Sequence, residues 1–119
     1  MRKLSVLALL AALAAAPAAT AKERNITMTA GDVAPKAGQS WTATLRVVID
    51  GAPAPGIGPM VRIVNRTGRT VYIASRPTAK AGIYLARIVF PTAGSWRLIA
   101  VDRYSGRAYE FKRVSVRAA

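Results

Sequence analysis

The sequence predicts one all-β domain of about seven short strands, preceded by an N-terminal segment that lies outside the fold. β-branched residues dominate after Ala21, with 10 Val and 8 Ile against 3 Leu, and branching at Cβ favours strands over helices. Several segments alternate apolar and polar residues, as strands with one buried face do. Glycines and prolines separate these segments, most of them at intervals typical of turns between short strands.

The first residues have the three-part pattern of a secretory signal peptide. Arg2 and Lys3 are followed by an apolar run over 4–16 and by the small-x-small site Ala19-Thr20-Ala21. The rival interpretation is a membrane anchor, but this run is shorter than the ~20 residues that cross a bilayer. We therefore expect a signal peptide at 1–21 and a mature domain at 22–119. The domain is then exported to the periplasm, cell surface or medium, with no transmembrane anchor.

The strands are expected between the turn signals. They lie near 24–30, 40–50, 60–66, 69–76, 83–90, 95–103 and 107–117. The inward positions of the second, fifth and sixth strands are Trp41, Ala43, Leu45, Val47, Ile49, Tyr84, Ala86, Ile88, Phe90, Trp96, Leu98 and Ala100. Trp41 and Trp96 are expected to meet between two sheets. Asn65-Arg66-Thr67-Gly68 and Tyr104-Ser105-Gly106-Arg107 are predicted to be hairpin turns, and 51–59 a stiff loop.

The composition excludes most catalytic chemistry. The 119 residues include no histidine and no cysteine, so the usual general base and the common zinc, copper and iron–sulfur ligands are missing. Asp102 and Glu110 flank the last hairpin and are the best acid–base candidates. Their basic neighbours Arg103 and Arg107 favour surface ion pairs instead. We expect no enzyme, no catalytic residue, no cofactor and no metal site.

Positive charge is the most distinctive feature of the chain. The chain has eighteen basic and five acidic residues, for a formal net charge of +13. Most of the basic residues are arginine, which forms bidentate contacts with phosphate and carboxylate groups. Because export separates the chain from the chromosome, we expect no nucleic-acid partner. The predicted partner is an envelope protein or an anionic cell-surface component, with the oligomeric state open.

Two groups of residues are candidates for this binding. One surrounds the last hairpin and comprises Arg103, Tyr104, Arg107 and Tyr109, a composition that is common in interfaces. The second is an outer sheet face that comprises Arg62, Val64, Ile99, Val101, Lys112 and Val114. Its outward apolar residues indicate cover by a partner, although a shift of one residue in register would turn them inward.

Several motifs resemble a known family. These are Pro35-x-Ala37-Gly38, Asp50-Gly51-x-Pro53, Gly82-Ile83-Tyr84 and Phe90-Pro91-x-Ala93-Gly94-Ser95-Trp96. Together they resemble the bacterial immunoglobulin-like domains of the YtkA-like and FixH-like group, over about residues 33–117. The resemblance implies an immunoglobulin-like β-sandwich with an accessory or interaction role.

The same resemblance implies an alternative function. Some relatives are linked to copper handling or to oxidase assembly, so the alternative is a metal-handling accessory protein of the bacterial envelope. After Ala21 the chain offers only Met28 and Met60 as thioether ligands. A small envelope enzyme is the third hypothesis.

Overall fold

The computed structural model describes residues 23–31 and 33–119, and all regular structure in these ranges is β-strand. The strands are β1 (Arg24–Ala30), β2 (Ser40–Ile49), β3 (Ala52–Pro53), β4 (Met60–Asn65), β5 (Thr70–Ala74), β6 (Arg76–Pro77), β7 (Ile83–Val89), β8 (Gly94–Val101), β9 (Ala108–Glu110) and β10 (Val114–Val116). The all-β prediction is confirmed. The predicted signal peptide at 1–21 lies outside the described residues. Within them, no helix has the length and hydropathy that crossing a membrane requires.

The strands form two antiparallel sheets. Sheet 1 has the order β1-β2-β7-β6, with β3 also paired to β2, and sheet 2 has the order β10-β8-β4-β5, with β9 also paired to β8. A parallel bridge between Lys36 and Arg117 joins the segment before β2 to the end of the chain. Its backbone hydrogen bonds run from the Ala37 amide to the Arg117 carbonyl and from the Arg117 amide to the Pro35 carbonyl, both 2.9 Å long.

One hydrophobic core lies between the sheets, as in a β-sandwich. Its buried members are Ile26, Ala43, Leu45, Val47, Ala54, Val61, Ile63, Tyr84, Ala86, Ile88, Phe90, Trp96, Leu98, Ala100 and Val116. The alternation predicted for the second, fifth and sixth strands is confirmed, with Trp41 and Ile49 packed at the edge of this core. The two tryptophans do not meet as expected. Phe90 lies between them, with its ring centroid 5.8 Å from that of Trp41 and 5.8 Å from that of Trp96.

The strand count differs from the prediction because two predicted strands are interrupted and the loop contains a short one. The segment at 69–76 is divided at Ser75 into β5 of sheet 2 and β6 of sheet 1. The Ser75 hydroxyl donates to the Pro59 carbonyl over 2.6 Å, which holds the crossing point. Within the predicted loop, residues 52–53 form β3 against β2. The preceding turn residues Asp50 and Gly51 both have positive φ, as in the tight hairpins that an Asp-Gly pair favours.

The last predicted strand contains a β-bulge. Glu110 pairs with Ile99 and Val114 pairs with Trp96, so four steps along this strand oppose three along β8. One extra residue reverses which side of the sheet the following residues face. Val114 therefore packs against the core, and its predicted outward position is wrong.

Candidate functional site

The last hairpin is organised around a buried carboxylate. Asp102 is 1% exposed. Its Oδ1 accepts hydrogen bonds from the amides of Tyr104 (2.9 Å) and Ser105 (3.3 Å), and its Oδ2 accepts one from Arg24 Nη1 at 2.9 Å. The backbone turn is closed by hydrogen bonds from the Gly106 amide to the Asp102 carbonyl and from the Asp102 amide to the Arg107 carbonyl. The hairpin predicted here is confirmed, and Asp102 joins it to β1.

The electrostatics of Asp102 favour its charged form. Burial by itself raises the pKa of this carboxyl, but the hydrogen bonds from Arg24, Tyr104 and Ser105 outweigh burial and hold the pKa below its ordinary value of 3.8. Glu110 instead pairs with Arg97 on the outer face of sheet 2. The two carboxylates considered as an acid–base pair are thus each paired with a different arginine, and the Asp102 carboxylate is buried while its Arg24 partner is partly exposed.

The first group of predicted binding residues is only partly assembled. Arg103, Tyr104 and Arg107 are exposed at the hairpin tip, and the Tyr104 hydroxyl donates to the Gly56 carbonyl over 3.3 Å. Tyr109 is directed elsewhere, because its side chain packs against the core and its hydroxyl donates to the Arg24 carbonyl at 3.0 Å. The tip therefore offers two arginines and one tyrosine to a partner.

An acidic residue adjoins this tip. Arg107 lines a shallow groove of about 620 Å³ together with Glu23, Arg24, Asn25, Val48 and Gly51. Glu23 in the groove and Asp102 beneath the hairpin reduce the positive potential available to an anionic ligand here.

The second predicted surface is not one continuous face. Arg62, Val64, Ile99 and Val101 are on the outer side of sheet 2, whereas Lys112 lies between β9 and β10. Ile99 is 1% exposed although it faces outward, because it lies between Arg62 and Glu110 in the adjoining strands. The Arg62 Nε is also buried and, among the described residues, has no hydrogen-bond partner. The stem of Arg62 thus covers its own sheet.

The structure brings together a third group that we call the arginine face, which is the outer side of sheet 1. It is defined by the exposed Arg46, Arg76 and Arg87 around Leu85. Arg76 lies directly opposite Leu85 on β6, and Arg87 is two residues along β7 on the same side. Arg46 on β2 is diagonal to Leu85 through the Thr44–Leu85 pair. Directly opposite Cβ atoms are about 5 Å apart and diagonal ones about 7–8 Å, so the three arginines start from positions next to one exposed apolar residue.

No carboxylate lies in the strands of sheet 1, since the sequences of β1, β2, β3, β6 and β7 contain no Asp or Glu. Among residues 23–31 and 33–119, the ion pairs involve only Arg24 and Arg97. A groove of about 550 Å³ opens at the edge of the arginine face and is lined by Thr42, Ala74, Arg76, Pro77, Leu85 and Arg87. Within the described part of the chain, the face thus combines positive charge that forms no ion pair, the Thr42 hydroxyl and a concave edge.

The sequence contained only half of the signal for this face. Alternation places Arg46 and Arg87 outward on their strands. Their arrangement depends on the register between β2 and β7, which pairs Thr42 with Arg87 across 45 positions of sequence. The single strand predicted over 69–76 assigns Arg76 to the same sheet as residues 70–74, and only the structure shows that Arg76 lies in sheet 1.

The possible metal ligands are not grouped in the described residues. Met28 packs against the core from β1, and Met60 begins β4 of the other sheet. The part of the chain that the structure describes holds no cluster of three or more His, Cys, Asp or Glu residues able to bind a metal ion. A comparison of the chain with models of known protein families gives no match, and a comparison with curated proteins gives none either.

Proposed function

We propose that this chain is an exported, non-catalytic binding domain that recognises an anionic component of the cell envelope. The observation that carries the proposal is the uncompensated positive charge on the folded surface. The chain has 18 basic and 5 acidic residues, and among the described residues only two arginines form ion pairs. A surface with this excess attracts polyanions and loses that attraction as salt rises.

The domain is proposed to be immunoglobulin-like and related to the YtkA-like and FixH-like group. The order of strands supports this assignment. In sheet 1 the order β1-β2-β7-β6 corresponds to strands A, B, E and D of that fold, and in sheet 2 the order β10-β8-β4-β5 corresponds to G, F, C and C′. In this correspondence β9 and β10 are the two halves of one bulged last strand.

Export remains part of the proposal because the sequence pattern at 1–21 carries it. Edman sequencing or intact-mass measurement of protein recovered from an expressing bacterium tests it. A chain that begins at Lys22 is expected. A chain that retains residues 1–21 in the exported fraction contradicts the assignment.

The binding function is tested by capture from the fractionated envelope of the host. The protein is immobilised and incubated with wall, lipid and soluble fractions at about 0.1 M and about 1 M salt, between which the Debye length falls from about 10 Å to about 3 Å. Retention of wall or lipid material that is lost at high salt is expected. Salt-resistant capture of a single protein, or capture of nothing, contradicts an anionic ligand.

A further inference from the structure

Resting on the proposed function, we infer that the arginine face is the binding surface and that its occupant is the surface of an anionic phospholipid bilayer. Arg46, Arg76 and Arg87 contact headgroup phosphates, and Leu85 enters the boundary between headgroups and acyl chains. The predicted tip residues Arg103, Tyr104 and Arg107 lie outside this surface.

The charge of the face selects an anionic occupant. Three exposed arginines lie on one side of one sheet whose strands contain no Asp or Glu. Arg76 and Arg87 are diagonal neighbours on β6 and β7, and like charges at that separation repel one another until an anion neutralises them. Guanidinium groups bind phosphate oxygens bidentately. The groove between Arg76 and Arg87 also contains Thr42, whose hydroxyl is a further donor to a phosphate.

The apolar residues of the face favour a bilayer over a soluble polyanion. Leu85 is 42% exposed and Val89, two positions beyond Arg87, is 43% exposed. A sugar–phosphate chain offers these side chains little apolar surface, whereas a bilayer removes them from water. Interfacial binding grows with both buried apolar area and attraction to anionic lipid. An exposed leucine next to three arginines, with an exposed valine two positions beyond one of them, fits that combination.

The test is co-sedimentation with vesicles of phosphatidylcholine alone or of phosphatidylcholine and phosphatidylglycerol in equal parts. The protein is used as the expressing cell delivers it, and every variant carries the same N-terminus, so residues 1–22 contribute equally throughout. Each arginine near an anionic surface contributes a factor of about five in partitioning. The variant R46Q/R76Q/R87Q is therefore expected to bind the mixed vesicles about 100-fold more weakly than the unaltered protein.

The matched control is R66Q/R69Q/R113Q, which removes the same charge from exposed positions in the loops that join the strands of sheet 2. These three substitutions affect vesicle binding only through the long-range electrostatic field, which salt screens. We therefore expect this variant to bind the mixed vesicles less than about fivefold more weakly than the unaltered protein. The substitution Leu85→Ser tests insertion, with an expected loss of about threefold to tenfold. Urea unfolding of each variant confirms that it is folded before binding is compared.

Three outcomes overturn the inference. They are equal losses in the two triple variants, equal binding of the unaltered protein to both kinds of vesicle, and no binding to either. If the protein does not bind vesicles but still captures anionic wall material in a salt-dependent way, the inference of a lipid occupant is wrong and the proposed function stands. If envelope capture fails as well, both are wrong.

Discussion

The ion pair between Arg24 and Asp102 is expected to be a main determinant of stability, and Asp102→Asn tests it. The Asp102 side chain is 2% exposed and that of Arg24 is 29% exposed, with 2.9 Å between Nη1 and Oδ2. An asparagine keeps an oxygen for the amides of Tyr104 and Ser105 but presents an uncharged NH2 group, which cannot accept a hydrogen bond, to the Arg24 guanidinium group. The loss in the free energy of unfolding is expected to be about 2–3 kcal/mol, in the upper part of the range for a hydrogen bond to a charged group and below the cost of breaking a fully buried pair.

The assay is urea unfolding of the unaltered protein, D102N, R24Q and the double variant at neutral pH. For a domain of about 100 residues the expected loss lowers the Tm by roughly 10 °C or more. Because the two residues contact each other, the double variant should lose less than the sum of the single losses, with a coupling of about 1–2 kcal/mol. Additive losses, or a loss below about 0.5 kcal/mol in D102N, would refute the idea that this contact joins β1 to the last hairpin.

Three further predictions concern the same fold. The pKa of Asp102 in the folded protein lies below its ordinary value of 3.8. The stabilisation that the Asp102 carboxylate gives should therefore be complete above pH 3.8 and be lost as the pH falls through the pKa of the folded protein. The urea midpoint of D102N should depend less on pH in this range than that of the unaltered protein. Gly82→Ala should lower the free energy of unfolding in urea by about 3 kcal/mol or more, because φ is +77° and a Cβ would lie 2.8 Å from a backbone carbonyl oxygen of β2. Gly38→Ala, which has a similar φ but open space around the new Cβ, should lower it by only about 1 kcal/mol. Equal losses in the two variants would contradict the steric explanation. Tyr84→Phe should cost about 1–2 kcal/mol, since the buried hydroxyl bonds the loop after β3 at 2.8 and 3.0 Å; an unchanged urea midpoint would contradict this.

The strands that build the core could be predicted because their information is local. The alternation from Trp41 to Ile49 fixes which side of β2 is buried, and the same holds for Tyr84 to Phe90 on β7. The turn at Asn65 is equally local, since its Oδ1 accepts hydrogen bonds from the Thr67 and Arg69 amides within four residues. A pattern of period two is sufficient for such elements.

The features that were missed depend on contacts between distant residues. The partner of Asp102 is Arg24, 78 positions away, and neither residue has a sequence neighbour that indicates the other. The bulge that turns Val114 inward inserts one residue between two pairings with β8. Alternation of apolar and polar residues cannot locate such an insertion. The segment has apolar residues facing one side of the sheet with the bulge and the other side without it, so the pattern does not distinguish the two registers.

The difference between the two outer faces connects the fold to the proposed binding. On the outer side of sheet 2, Arg97 pairs with Glu110, and the Nε atom of Arg62 is buried. On sheet 1 the outward arginines have no ion-pair partner among the described residues, and the exposed Leu85 lies between them. Solubility alone does not require three arginines next to one exposed apolar residue. Dispersed charges of both signs keep a protein soluble with less mutual repulsion. The positive charge of sheet 1, unpaired among residues 23–31 and 33–119, is therefore the part of the +13 excess that the proposed binding to an anionic surface uses.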